Sequence, residues 1–145
     1  MLVCGIELTS TDAVICLLDY DTNTFNVPEC RQRLFTLPKS AGTDAIRDFH
    51  FAFKKLMEDY RVEVVVVIER PQKGKLAGTA ISFKLEAAIQ LISLPVIMIN
   101  HTTMKEQMKR NKMQADFDNL GLKKFQRPAL NAAYSYLSGY YEKHS

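Results

Sequence analysis

The chain has 145 residues, of which 47% are hydrophobic and 24% charged, with a formal net charge of +3. This length predicts one globular domain, residues 1–145, and leaves no room for a second. The three cysteines, Cys4, Cys16 and Cys30, match neither a secreted disulfide framework nor a metal-ligand spacing. Because the sequence also lacks a signal-peptide pattern and an apolar run long enough to cross a bilayer, we expect a soluble, cytoplasmic protein with no membrane partner.

The charge is distributed unevenly along the chain. Residues 1–60 hold 6 Lys and Arg against 9 Asp and Glu, a net charge of −3, whereas residues 61–145 hold 13 against 7, a net charge of +6. A basic second part is typical of proteins that bind a polyanion, although many cytosolic domains show such an asymmetry by chance. The charge is therefore a weak indication of a nucleic-acid partner.

The first 37 residues predict three antiparallel strands. Residues 2–8 and 13–18 are rich in strand-forming side chains and are separated by a short polar connection suited to a hairpin. After a second turn, residues 25–37 are expected to form one longer strand, with Pro28 at its irregular start or at a bulge. Alternating charged residues favour an edge position for this strand.

The first helix is predicted to follow Thr43, a suitable N-cap. Apolar residues recur at three- and four-residue spacing as far as Tyr60, which indicates an amphipathic helix with a phenylalanine-rich core face. His50 borders that face and has no ligand pattern one turn away, so we interpret it as a packing histidine.

Residues 64–68 form an unbroken run of β-branched apolar residues, which predicts a central strand covered on both faces. Glu69 directly follows this strand, at the end where open α/β sheets place their ligands. The alternative is an ordinary solvated charge at a strand end. Pro71 stops the strand, and a basic loop containing Lys73 and Lys75 comes next.

The remaining elements are helical, with one further strand. A second helix is predicted over residues 79–92, and the apolar run at 95–100 predicts a buried parallel strand. Thr102 or Thr103 can cap a third, short helix, whose basic residues favour a solvated face over a binding face. Pro128 suits the first position of the last helix.

The predicted order is β-β-β-α-β-α-β-α-α, the order of the ribonuclease H-like fold: a mixed five-stranded sheet, three strands antiparallel and then parallel, flanked by helices. With this order, residues 64–69, 78–91, 94–96 and 103–108 resemble the corresponding parts of RuvC-type Holliday-junction resolvases. The specific matches are Gly5-Ile6-Glu7, Ile68-Glu69 and the helix at 83–88. The whole chain resembles more closely a small bacterial family of uncharacterised resolvase-like proteins.

This resemblance implies a nuclease that cuts with two Mg²⁺ ions held by clustered carboxylates. Glu7 stands where the resolvase pattern has an aspartate on the first strand, and Glu69 occupies the glutamate position, so these two are the candidate catalytic residues and metal ligands. The pattern also has acids at the start of the last helix, but residues 126–131 contain none. The loss of these acids removes negative charge from the expected cluster.

Three residues are candidates to complete the metal site: Asp116, Asp118 and Asn131. For the two aspartates, loop and cap roles are the favoured alternative. Candidate phosphate contacts are basic residues near the two glutamates or at the start of the last helix, namely Lys73, Lys75, Lys84 and Arg127. The resemblance also implies a homodimer, since a four-way junction is two-fold symmetric.

Two functions of different classes remain open. The first is a Mg²⁺-dependent nuclease or nucleic-acid-binding protein that acts on structured DNA. The second is a catalytically inactive ribonuclease H-like scaffold that serves as a binding module, because a fold does not guarantee an activity. A sugar- or acetate-kinase reading, based on the related actin-like fold, is less favoured because no glycine-rich phosphate loop follows the first strand.

Overall fold

The computed structural model describes residues 1–21, 24–70 and 78–144. These residues form six β-strands and four α-helices. The strands are β1 (Leu2–Leu8), β2 (Asp12–Asp21), β3 (Thr24–Asn26), β4 (Leu34–Thr36), β5 (Val64–Ile68) and β6 (Val96–Ile99), and the helices are α1 (Thr43–Asp59), α2 (Ala80–Gln90), α3 (His101–Arg110) and α4 (Arg127–His144).

The strands form one mixed sheet in the order β3-β2-β1-β5-β6, with β4 also pairing with β2. The pairs that involve β2 are antiparallel, whereas β1 with β5 and β5 with β6 are parallel. All five residues of β5 are buried, as expected for a strand covered on both faces. The predicted fold class is therefore confirmed.

The region predicted as a single third strand, residues 25–37, is instead two short strands, so the sheet has six strands and not five. Asn26 of β3 pairs with Asp19, and Phe35 of β4 pairs with Ala13, both on the same edge of β2. Between them Pro28 has no N–H to donate, and the Arg31 amide donates to the Tyr60 hydroxyl at 2.8 Å. The intervening backbone therefore leaves the sheet.

Each face of the sheet packs against different helices. Cys4, Ile6 and Leu8 of β1 belong to a core shared with α1 and α2, whereas Val3 belongs to a core shared with α4. On the α4 side, a Cβ atom added to Gly5 would lie 1.9 Å from the Ala129 carbonyl oxygen. The absence of a side chain at Gly5 therefore lets the backbone of α4 approach the backbone of β1.

The helix starts differ in detail from the sequence predictions. Gly42 occupies the N-cap of α1, and Thr43 is already helical. The cap of α3 is neither predicted threonine but Asn100, whose side chain accepts a hydrogen bond from the Thr103 amide at 2.8 Å. Asn is among the strongest N-caps, and its position directly after β6 lets the helix begin two to three residues earlier than expected.

Two further expectations concern packing and membranes. His50 Nδ1 lies 2.8 Å from the Ala88 carbonyl oxygen, which links α1 to α2 and agrees with the packing interpretation.

In the part of the chain that the structure describes, no helix combines the length and apolar character that crossing a membrane requires.

Candidate functional site

The two candidate catalytic residues stand at the carboxyl ends of neighbouring parallel strands. Ile6 of β1 is in register with Val67 of β5, so Glu7 and Glu69 come at the same edge of the sheet. The element order of the resemblance implies that these two strands are neighbours, with Glu7 and Glu69 close enough to share a cation or a water, and the β1–β5 pairing confirms the first part of this expectation. Side chains alternate between the two faces along a strand. By this alternation Glu7 belongs to the face that packs on α4, as Val3 does, whereas Glu69 belongs to the opposite face, as Val67 does.

Glu7 is half-buried and lies among cationic groups. Burial raises the pKa of its carboxyl above the ordinary value, and the charges of Arg70 and then His101 oppose this rise. Arg70 follows the end of β5 by two residues, and His101 begins α3 directly after β6. The ends of the parallel strands β1, β5 and β6 therefore bring Glu7, Glu69, Arg70 and His101 to this edge of the sheet.

Arg70 lies beside the segment of chain that leads into α2. A Cβ atom added to Gly78 would lie 2.9 Å from Arg70 Cβ, so the chain entering α2 passes directly beside Arg70. Its Nε atom is buried and finds no hydrogen-bond partner among residues 1–21, 24–70 and 78–144. A buried guanidinium N–H without an acceptor is costly, so a ligand that offers an anionic oxygen would be stabilised here.

Glu69 has a different environment. Its side chain is exposed, and its charge acts on Glu86 of α2, whose pKa is raised first by burial and further by Glu69, while the Arg70 backbone opposes this rise. The charges that act on Glu7 are those of Arg70 and His101. The two candidate catalytic carboxylates thus have separate electrostatic partners.

The start of α2 is tied to the same edge. The Thr79 hydroxyl accepts a hydrogen bond from the Ser82 amide at 3.1 Å and donates one to the Ser10 carbonyl oxygen at 2.7 Å. Ser10 lies in the turn between β1 and β2. This contact holds the helix that follows the basic loop against the end of the strand that carries Glu7.

Of the other proposed metal ligands, Asp116 has a local role as a helix cap. The Asp116 side chain accepts hydrogen bonds from the Asp118 amide at 3.1 Å and from Asn119 Nδ2 at 3.2 Å, which caps the short 3₁₀ helix Phe117–Asn119. Asn131 lines a cavity of about 180 Å³ together with Arg127. Asp116 therefore has the cap role that was the favoured alternative.

The donor set does not fit a site for two Mg²⁺ ions. Within the described ranges, no group of three or more His, Cys, Asp and Glu side chains could hold a metal ion. The segment at 71–77 contains no carboxylate in its sequence, and α4 begins with Arg127 and Pro128. Closely spaced divalent cations require several anionic oxygens, whereas the side chains whose charges act on Glu7 are Arg70 and His101.

Of the candidate phosphate contacts, the two in the described part of the chain have different surroundings. The Lys84 ammonium donates to the Ala41 carbonyl oxygen at 3.2 Å, so it faces the loop before α1. The exposed Arg127 guanidinium lies over the Phe117 ring, 5.2 Å from its centroid. Lys73 and Lys75 lie outside the described residues.

The sequence interpretation missed His101 as a site residue. Its signal was available: it directly follows the predicted parallel strand at 95–100, and the carboxyl ends of parallel strands meet at one edge of the sheet.

Several junction resolvases have solved structures with a similar fold. RuvC of Thermus thermophilus has a TM-score of 0.74 with 15% identity, covering 99% of this chain and 97% of that protein. The T. thermophilus RuvC structure in complex with Holliday junction substrate gives 0.73 with 16% identity, covering 98% and 96%. The fowlpox virus resolvase with Holliday junction DNA gives 0.52 with 14% identity, covering 97% and 99%. At these identities the likeness establishes the fold.

Sequence comparisons place the chain more narrowly. A search of curated proteins finds no match. A family model described as "Protein of unknown function (DUF3010)" matches residues 1–136, almost the whole chain, and the protein therefore belongs to the DUF3010 family.

Proposed function

We propose that this protein binds branched DNA at the edge of the sheet formed by the ends of β1, β5 and β6. We also propose that it does not cut this DNA by a two-metal mechanism. The observation that carries this proposal is the environment of Glu7, where Arg70 and His101 stand beside a single half-buried carboxylate. Such an edge suits a phosphate group better than a pair of cations.

The distribution of charge supports a phosphate-rich partner. Arg70 and His101 belong to the part of the chain with a net charge of +6, and Lys73 and Lys75 follow Arg70 closely in sequence. Arg70 offers a buried N–H that lacks an acceptor among the described residues. Contacts between cationic side chains and phosphates position a protein on DNA without reading its sequence.

The preference for branched DNA rests on the fold. RuvC and the fowlpox virus resolvase, whose folds are similar, have structures with Holliday junctions. A fold that presents the same sheet edge can retain the shape of a binding surface after the chemistry is lost.

The test is an electrophoretic mobility assay with a fluorescent four-way junction and a linear duplex of the same base composition. We expect the junction to bind more tightly, and Arg70→Ala to weaken binding by about tenfold, the value of one charge-assisted hydrogen bond. Arg47→Ala, which removes an exposed arginine from α1, is the matched control. Equal binding of junction and duplex, or no binding at all, would contradict the proposal.

A second candidate, a metal-dependent endonuclease, is favoured by one observation: Glu7 and Glu69 end adjacent strands. The same junction is therefore incubated with Mg²⁺ or Mn²⁺ and analysed on a denaturing gel. We expect no cleavage. Cleavage by the wild type that is abolished in Glu7→Gln would replace the binding proposal with the nuclease.

A further inference from the structure

The outer edge of β6 has no strand partner among the described residues. β6 ends the strand order, with β5 as its neighbour on one side. The Val65 amide donates to the Pro95 carbonyl oxygen at 3.0 Å, and the Glu69 amide donates to the Ile99 carbonyl oxygen at 2.8 Å. Since hydrogen-bonding direction alternates along a strand, Met98 directs its N–H and C=O away from β5. An edge of this kind can pair with a further strand.

A groove of about 430 Å³ runs beside this edge, between β6 and the helices α3 and α4. The Met98 side chain packs against the core shared with α1 and α2, on the other face of the sheet. Met98 nevertheless lines the groove and is partly exposed. The part of Met98 that faces the groove is therefore its backbone.

The wall next to the strand edge is apolar. Ile97 is 37% exposed, and by the alternation from Ile99 its side chain belongs to the face that packs on α4. The stacked rings of Tyr136 and Tyr140, with centroids 6.1 Å apart, line the same groove. An apolar side chain of an added strand would be removed from water here.

The charges of the wall are positive. Lys143 and His144 of α4 line the groove, as do Asn100 and Thr103 at the start of α3. A helix N-terminus carries a partial positive charge, and the first turn of α3 contains no acidic residue to offset it. In the described part of the chain no Asp or Glu lines the groove. These charges favour a partner with acidic side chains.

The acid nearest in sequence is already paired. Glu142 precedes Lys143, and its carboxylate forms an ion pair with Arg110 and accepts a hydrogen bond from Asn111 Nδ2 at 2.8 Å. Lys143 itself forms no ion pair within 4.0 Å among the described residues. Its ammonium is therefore available to a carboxylate of another molecule.

We infer that β6 accepts an extended, acidic segment of another protein as an additional strand of the sheet. The backbone of the segment pairs with the N–H and C=O of Met98, an apolar side chain packs on Ile97, and an acidic side chain pairs with Lys143. In strand addition of this kind the main-chain hydrogen bonds provide affinity, and the alternate side chains provide specificity.

Two other occupants fit the groove less well. A symmetric contact with a second copy would bring two basic walls together, and like charges oppose such a contact. A nucleic-acid strand offers phosphates to Lys143, but its sugar-phosphate backbone has no regular row of donors and acceptors to match a strand edge. The wall contains neither Arg70 nor His101, so this site is independent of the proposed DNA binding.

The experiment measures the fluorescence anisotropy of a labelled seven-residue peptide in which valine and glutamate alternate. We expect saturable binding, and no binding when lysine replaces glutamate in the peptide. Lys143→Glu should weaken binding about tenfold or more, through loss of one charge-assisted contact. Lys39→Glu makes the same charge change in the loop before α1 and should behave as the wild type. Both lysines are exposed, and a thermal melt of each variant confirms folding.

The same peptide with a methyl group on every backbone nitrogen tests the main-chain pairing. It keeps the side chains and the charge but has no N–H on either edge, so it cannot donate to the Met98 carbonyl oxygen. We expect its binding to be at least tenfold weaker than that of the parent peptide. This comparison uses the wild-type protein and does not depend on the folding of a variant.

The inference would be overturned if the parent peptide does not bind saturably, if the lysine or the methylated peptide binds equally well, or if Lys143→Glu binds as the wild type does. Displacement of the peptide by a single-stranded oligonucleotide at lower concentration would instead assign the groove to nucleic acid. A dimer in sedimentation equilibrium that the peptide dissociates would assign β6 to a second copy. Each of these two results would also overturn the inference.

Discussion

At the scale of single residues, Gly5 is the point where β1 and α4 come closest. A Cβ atom at this position would lie 1.9 Å from the Ala129 carbonyl oxygen and 2.9 Å from the Ala133 amide nitrogen. Both are backbone atoms, which move only with the helix. We expect Gly5→Ala to lower the free energy of unfolding by about 3 kcal/mol or more, measured by urea denaturation.

Gly139→Ala is the control for this prediction, since it places the same methyl group on α4. Its nearest neighbour would be the flexible Gln107 side chain at 3.4 Å. Alanine is a better helix former than glycine by about 1 kcal/mol, so this variant should be as stable as the wild type or more so. Equal destabilisation in both variants would refute the close approach at Gly5.

Glu7 makes the free energy of unfolding depend on pH, and the sign of this dependence follows from the burial of its carboxyl. Burial raises its pKa, and Arg70 and His101 oppose this only in part. The folded protein therefore holds this proton more tightly than the unfolded chain, and the contribution of Glu7 to stability falls as the pH rises from the unfolded-state pKa through the folded-state pKa. Glu7→Gln should gain stability relative to the wild type over that window.

Urea denaturation at a series of pH values from about 4 to about 8 measures this effect, over the range in which a glutamate with a raised pKa titrates. Glu69→Gln removes an exposed carboxylate from the neighbouring strand end and is the matched comparison. If both variants follow the wild-type profile, the burial of Glu7 does not control its proton.

At the scale of secondary-structure elements, Thr79 joins α2 to the β1–β2 turn. Its hydroxyl caps the helix through the Ser82 amide and donates to the Ser10 carbonyl oxygen. Thr79→Ala should therefore cost about 1 kcal/mol, the usual value of an N-cap. Thr79→Ser keeps the hydroxyl and should restore most of the stability, and a serine variant as unstable as the alanine variant would exclude the capping role.

At the scale of the whole molecule, the proposed DNA binding should weaken with salt because each neutralised phosphate releases counterions. Lys73 and Lys75 are the cations nearest in sequence to Arg70, so the double alanine variant should lower affinity for all sequences alike. It should also reduce the slope of log affinity against log salt concentration by about 2. Fluorescence anisotropy with a labelled junction at several salt concentrations measures the slope.

A double variant of Lys39 and Lys54, both exposed and both in the acidic first part of the chain, carries the same change in net charge and should keep the wild-type slope. A slope that falls equally in both double variants would assign the effect to net charge. If the salt slope of the Lys73 and Lys75 variant is unchanged, these two lysines do not contact phosphates, and the solvated-face interpretation applies to them.

The sequence alone determined the elements whose signals are local. The unbroken apolar run at 64–68 could be satisfied only in the middle of a sheet, and the helical spacing that ends near Tyr60 required one buried face. Their order along the chain then predicted that Glu7 and Glu69 would end neighbouring strands, and the β1–β5 pairing agrees.

The tertiary structure decided what depends on partners distant in sequence. The third predicted strand divides because the Arg31 amide finds the Tyr60 hydroxyl, 29 residues away. Likewise, Glu7 has Arg70 and His101 as its charged neighbours because β5 and β6 end at the same edge of the sheet. Hydrogen bonds and charge interactions of this kind follow from which strands lie side by side, a property that no local sequence pattern contains.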